Sequence, residues 1–260
     1  MTGVLGFVVI VGGSLLLTLL GVVLVRHVVS HQTLARHNDV AGFVYATTGV
    51  TYAVVLAFVV IAVWENYAST REIADREASA VGALFRLASG LPDPHRAEAQ
   101  EALLTYAETV VEVAWPAMEE GDDPTLETSQ ALDHLYAVYL DPDFIAAVNA
   151  QQYGEALDQL DEVSVTRRER VLASHGGLPT ILWLVLIGGG VLIVGFAFLF
   201  GVENAYAQAA IIGALAVTIS MLLFVVADAQ YPFRGGFAVH PEAMESVLQQ
   251  FSPPGGSGPH

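Results

Sequence analysis

The sequence contains no cysteine. That excludes disulfides, thiolate metal sites, iron–sulfur clusters and cysteine nucleophiles together. It also contains no lysine, since all ten basic residues are arginine. A phosphate-binding loop lysine, a Schiff base and a lysine general base are therefore excluded as well. Charge itself is scarce, at 14% of the chain, and four stretches hold none of Asp, Glu, Lys or Arg: residues 4–25, 40–64, 178–202 and 205–227. Each is long enough to cross ~30 Å of hydrocarbon as a helix. A water-soluble chain of equal apolar content would be interrupted by charge every turn or two, as this one is over residues 65–177. The sequence thus predicts an all-α integral membrane protein with four transmembrane helices and a helical, water-exposed domain between the second and third. The first stretch reads as a span and not as a cleaved signal. No basic residue precedes it, its apolar run is long, and Arg26 and His27 close it where a small-residue cleavage site would stand.

The predicted division is a first transmembrane pair (residues 1–64), an acidic helical domain (65–177), a transmembrane hairpin (178–228) and a tail (229–260). The domain holds 22 acidic residues and seven Arg, a net charge of −15. Nucleic acid and anionic lipid are poor partners for such a surface. No proline falls between Val40 and Leu91, and Ile73, Ala80, Val81, Leu84, Leu87 and Ala88 recur at helical spacing. One helix is expected to leave the bilayer and continue until Pro92 and Pro94. Helices are also expected over residues 95–118, 125–140 and 142–174, the last with Pro142 in its first turn. Little more than Glu203 and Asn204 separates the last two spans, which forces an antiparallel hairpin. Arg71, Arg76, Arg167, Arg168, Arg170 and Arg234 lie on one side of the spans, against Arg26 and Arg36 on the other. The positive-inside tendency then places both termini and the domain in the cytoplasm of a cell-membrane protein.

Val50, Val54 and Phe58 recur every four residues on the second span and form one slowly drifting stripe. Such a stripe either packs against neighbouring helices or faces a central axis, where an apolar ring gates ions by dewetting. His27, His31, His37 and Asp39 gather with Arg26 and Arg36 in the first connection. His27 and His31 have the i, i+4 spacing of a metal pair. No carboxylate joins them one turn on, and two arginines oppose a cation, so a polar, pH-responsive external loop is the expectation and no metal site is assigned. Glu98, Glu101, Glu108 and Glu112 lack the Glu-x-x-His pairs of a di-metal bundle and read as a solvated face. Hydrolase, dinucleotide and metalloprotease signatures are missing; no enzyme and no cofactor is expected. Gly188, Gly189 and Gly190 remove three side chains where another helix approaches or where the span hinges. In the tail, Pro232, Phe233, Arg234 and Gly235 make a sharp reversal before an amphipathic segment carrying Met244, Val247, Leu248 and Phe251.

The tail run Pro232-Phe233-Arg234-Gly235, followed by Val239-His240-Pro241, resembles the bestrophin-like domain family of bacterial membrane proteins. His37-Asn38-Asp39, the segment from Gly49 to Tyr67 with its Tyr52-Ala53-Val54-Val55-Leu56 core, and Trp115-Pro116 carry the resemblance across most of the chain. It implies the bestrophin channel plan: four spans, cytoplasmic termini, a cytosolic helical domain, and a pentamer whose pore the second span lines. Leu56-Ala57-Phe58 and Trp64-Glu65-Asn66-Tyr67 look like the end of that pore helix, which carries the pore constriction onto Val50, Val54 and Phe58. The expected function is a homo-oligomeric channel for small ions, with cations favoured by the acidic domain. The alternative is a non-conducting membrane scaffold or sensor that signals through its cytosolic helices.

Overall fold

A computed structural model describes residues 2–29 and 38–251. The elements in chain order are α1 (Thr2–Val28), α2 (Asn38–Ala88), α3 (His95–Thr109), a π-helical turn (Val110–Ala114), α4 (Trp115–Glu120), α5 (Thr125–Tyr139), α6 (Pro142–Ala147), α7 (Ala150–Ser174), α8 (Thr180–Ala197), α9 (Ala205–Ala229) and α10 (Glu242–Phe251). No strand occurs among the described residues. The chain divides into two compact units: residues 1–65 with 177–230, and residues 66–176 with 231–260.

In the first unit α1, the first part of α2, α8 and α9 supply four helices long and apolar enough to cross a membrane. Small residues set the spacing here, because between helices in lipid close packing replaces the hydrophobic drive. A Cβ on Gly189 would stand 2.5 Å from the Tyr52 ring, so the glycine admits that ring between α2 and α8. The Tyr52 hydroxyl then donates to the Leu186 carbonyl at 3.0 Å. Leu56, Val59 and Val63 extend the seam toward Leu186, Ile193, Ile219 and Val226. On the other side α1 meets α9 with Phe7 edge-on to Phe224, ring centroids 5.3 Å apart.

The hairpin between α8 and α9 is longer than the sequence suggests. Residues 198–204 are not helical, and Asn204 caps α9 by accepting from the Tyr206 and Ala207 amides at 2.9 and 3.3 Å. The carbonyls freed by this turn find side-chain donors. Arg26 donates through Nη2 to Val202 and Glu203, and through Nε to Gln208 Oε1 at 2.7 Å. Gln208 Nε2 reaches the Phe200 carbonyl at 3.1 Å, and Asn38 exchanges two hydrogen bonds with the Gly201 backbone. An exposed loop at a membrane boundary thereby keeps its backbone satisfied.

The second unit is built as a water-soluble bundle. Val81, Leu84, Leu103, Tyr106, Leu135, Leu160 and Val163 are fully buried in one core. Two expected single helices are divided. The segment 95–118 is interrupted by the π turn, and the cause is Pro116: it has no N–H for the Glu112 carbonyl and its ring crowds that carbonyl, so the backbone widens by one residue ahead of it. The Trp115 amide accordingly reaches back five residues to the Val110 carbonyl. The segment 142–174 is split at Val148. Asn149 is extended there and accepts from the Gln152 amide at 2.9 Å, starting α7 afresh. The tail returns to this core, where Phe233, Val239, Met244 and Val247 are buried.

Candidate functional site: the free face of α2 and the clasp of the domain

The first span-forming part of α2 has two unlike faces. Tyr52, Leu56, Val59 and Val63 are at most 8% exposed, while Val50, Val54 and Phe58 are 65%, 50% and 68% exposed. With 3.6 residues per turn the second set shares one side, which also carries Phe43 and Ile61. The stripe is therefore an apolar face that its own chain leaves uncovered.

Of the four polar loop residues, the described structure covers two, His27 and the backbone of Asp39. His27 is exposed at the end of α1, beside the Arg26 that caps the α8–α9 turn. His31 and His37 lie outside the described residues. Asp39 belongs to the first turn of α2. No group of three metal-ligating side chains occurs among the described residues.

The tail residues form a clasp inside the second unit. Phe233 is buried edge-on to Trp115, centroids 5.5 Å apart. The Val239 amide closes the reversal onto the Pro232 carbonyl at 2.7 Å, and Trp115 Nε1 donates to the Val239 carbonyl at 3.0 Å. Arg234 donates through Nε to the Met118 carbonyl at 3.3 Å and lies 5.1 Å from the Tyr231 ring centroid. Its guanidinium occupies the space a Cβ on Gly121 would need, and Gly121 itself has φ +91°. Gly235, at φ +86°, makes the turn.

Sequence reasoning missed a buried pair of opposite charges next to this clasp. Glu77 on α2 and Arg170 on α7 are 1% and 0% exposed and pair at 2.6 Å. Arg170 donates through Nε to Oε2 and through Nη2 to Oε1, the two-pronged geometry that favours arginine. Tyr106 donates to Glu77 Oε1 at 2.7 Å, and the guanidinium lies 5.2 Å from the Trp115 ring centroid. Burial opposes the charge on Arg170, but the Glu77 carboxylate and its hydrogen bond outweigh that and raise its pKa. Burial, reinforced by the Glu77 charge, holds the Tyr106 hydroxyl well above its ordinary value. A signal existed, because Glu77 falls on the apolar stripe of Ala74, Val81 and Leu84, and Arg170 on that of Leu160 and Val163.

Four apolar helices and an acidic helical bundle define an all-α membrane protein. The bestrophin-like domain model matches residues 12–244, and the chain belongs to the bestrophin-like family. No curated protein matches it. Among solved structures, a leucine-to-threonine variant of the bacterial bestrophin homologue of Klebsiella pneumoniae is similar, with TM-score 0.74, 15% identity, and coverage of 94% of this chain and 99% of that one. An isoleucine-to-threonine variant of the same homologue superposes with TM-score 0.75 at 14% identity over 94% of this chain and 99% of that chain. An aspartate-to-alanine variant gives TM-score 0.72 at 16% identity, over 92% and 98% of the two chains. Likeness at this identity establishes the shared fold.

Proposed function

We propose that this chain assembles into a homo-oligomeric channel for small ions whose pore is lined by the free face of α2. The observation that carries the reading is the exposure of Val50, Val54 and Phe58 opposite the packed face of Tyr52, Leu56, Val59 and Val63. Membership of a family whose known members are ion channels supports it. One four-helix subunit is too small to enclose an axis lined by its second span, so a closed ring of copies is required, a pentamer by family likeness. In such a ring the stripe repeats around the axis and makes apolar constrictions that control wetting. The distribution of Arg puts the termini and the acidic domain in the cytoplasm. The domain's net charge of −15 then enriches cations at the inner mouth.

The test is ion flux from proteoliposomes at matched protein incorporation. Val54→Ala and Phe58→Ala widen and wet the constriction, and each is expected to raise flux several-fold. A stripe that meets only lipid or packing predicts unchanged flux in both variants, which overturns the pore assignment.

A further inference from the structure

Within the second unit, a polar cavity of about 260 Å³ lies between the α2 segment from Tyr67 to Asp75 and the start of α10. Its wall carries charges of both signs: Arg71 and Asp75 from α2, and Glu242 from α10, with His240 and Ser246 beside them. Arg71 and Asp75 are four residues apart, where a helical ion pair is normally within reach. Yet Arg71, Asp75 and Glu242 form no ion pair or side-chain hydrogen bond among the described residues. The neighbouring backbone is held firmly, since Val239 is pinned by Trp115 and the Glu245 amide closes on the Pro241 carbonyl at 2.9 Å. The cavity thus presents one guanidinium and two carboxylates on exposed side chains, with no direct ion pair between them.

We propose that this cavity binds a small zwitterion, its anionic group on Arg71 and its ammonium group on Asp75 and Glu242. A divalent cation fits poorly, because the guanidinium opposes it and no metal-ligating trio occurs among the described residues. A simple anion meets two carboxylates for one guanidinium. The volume is below the ~300–1,000 Å³ usual for drug-sized ligands, so the occupant is compact. Guanidinium to carboxylate or phosphate is the strong, two-pronged contact, and the ammonium lies between two carboxylates, so both ends of the zwitterion meet opposite charge while the wall keeps one negative charge in excess. Ammonium with carboxylate or phosphate is the shared chemistry of a free amino-acid-like solute and of an ethanolamine lipid headgroup.

Calorimetric titration of the full chain in detergent separates these sources. One arm uses glycine and phosphoethanolamine; the other uses dioctanoyl phosphatidylethanolamine against dioctanoyl phosphatidylglycerol. Acetate and ethylammonium are the single-sign controls. Saturable binding is expected, at least tenfold tighter than either control, in the free arm for a solute or in the lipid arm alone for a headgroup. Arg71→Gln and Glu242→Gln are each expected to weaken it at least tenfold at unchanged melting temperature, while Glu155→Gln on α7 leaves it intact. Ser246→Trp, which fills the cavity, is expected to abolish it. Absence of zwitterion binding in both arms overturns the proposal. So does binding matched by acetate or ethylammonium, or binding that survives Arg71→Gln and Ser246→Trp.

Discussion

The two units bury apolar surface to very different extents. In the membrane-spanning unit Leu17, Leu24, Ile187 and Val191 are 71%, 65%, 51% and 68% exposed. In the other unit Val81, Leu84, Leu103 and Leu135 are fully buried. Lipid gives a leucine no reason to turn inward, so the first unit is organised by contacts that need shape, such as Tyr52 seated on Gly189. Water gives every leucine that reason, and the second unit sorts its residues by polarity. The Glu77–Arg170 pair is a place where charge overrides the sorting, and damage should be worst there.

The largest expected effect follows from that exception. Glu77→Leu leaves Arg170 buried and unpaired, and should destabilise the domain by ~3–5 kcal/mol, read from denaturant unfolding. Pairing it with Arg170→Met should recover much of the loss; a double variant as weak as the single one would show that the ion pair has a role beyond charge compensation. Gly121→Ala comes next. A side chain at φ +91° costs ~1–2 kcal/mol, and the new methyl also displaces the Arg234 guanidinium, so the melting temperature should fall and the tail should become more open to protease.

An alkaline effect is smaller and follows from the tyrosines. Tyr106 and Tyr139 both ionise above the ordinary value of 10.0 when folded, Tyr106 through burial and the Glu77 charge, Tyr139 through burial. The unfolded chain loses these protons first, so their contribution is intact below pH 10 and declines as pH rises beyond it, by ~1.4 kcal/mol per tyrosine per unit. Tyr106→Phe should flatten the slope; an unaltered slope would assign it to other groups. The smallest effect belongs to the spans. Val54→Ala and Phe58→Ala remove side chains that touch little within the chain, and stability of the detergent-solubilised subunit should move by no more than ~0.5 kcal/mol. A large drop would mean that the stripe is a packing surface.

The same contrast explains what could be read in advance. The spans were legible because residues 4–25, 40–64, 178–202 and 205–227 hold no Asp, Glu, Lys or Arg. Which side of each span packs was not. Val50 and Val59 are the same residue type on one helix, yet one is 65% exposed and the other 7%. In the domain, polarity told the sides apart, and Val81, Leu84 and Ala88 are buried at the spacing that pointed to a helix. Its long-range polar pairing was hidden, because Glu77 and Arg170 are 93 positions apart, and the apolar stripe on which each falls points to burial without naming its partner. The tail motif was visible as a reversal, but its hold on Trp115 depends on the π turn ahead of Pro116, which periodicity does not announce.

The bond from Trp115 to Val239 joins residues 124 positions apart, with both α8 and α9 between them in the chain. During synthesis, residues 66–176 emerge from the ribosome with a gap in their core that only the last segment fills. Both remaining spans must enter the bilayer before Phe233, Val239 and Met244 arrive. From Gly176 to Val239 the chain lengthens by 239 − 176 = 63 residues, so at ~5–20 residues per second the unfinished bundle waits on the order of several seconds. A chain halted at Gln230 lacks Phe233, Val239 and Met244, three side chains of the core that residues 66–176 cannot supply themselves.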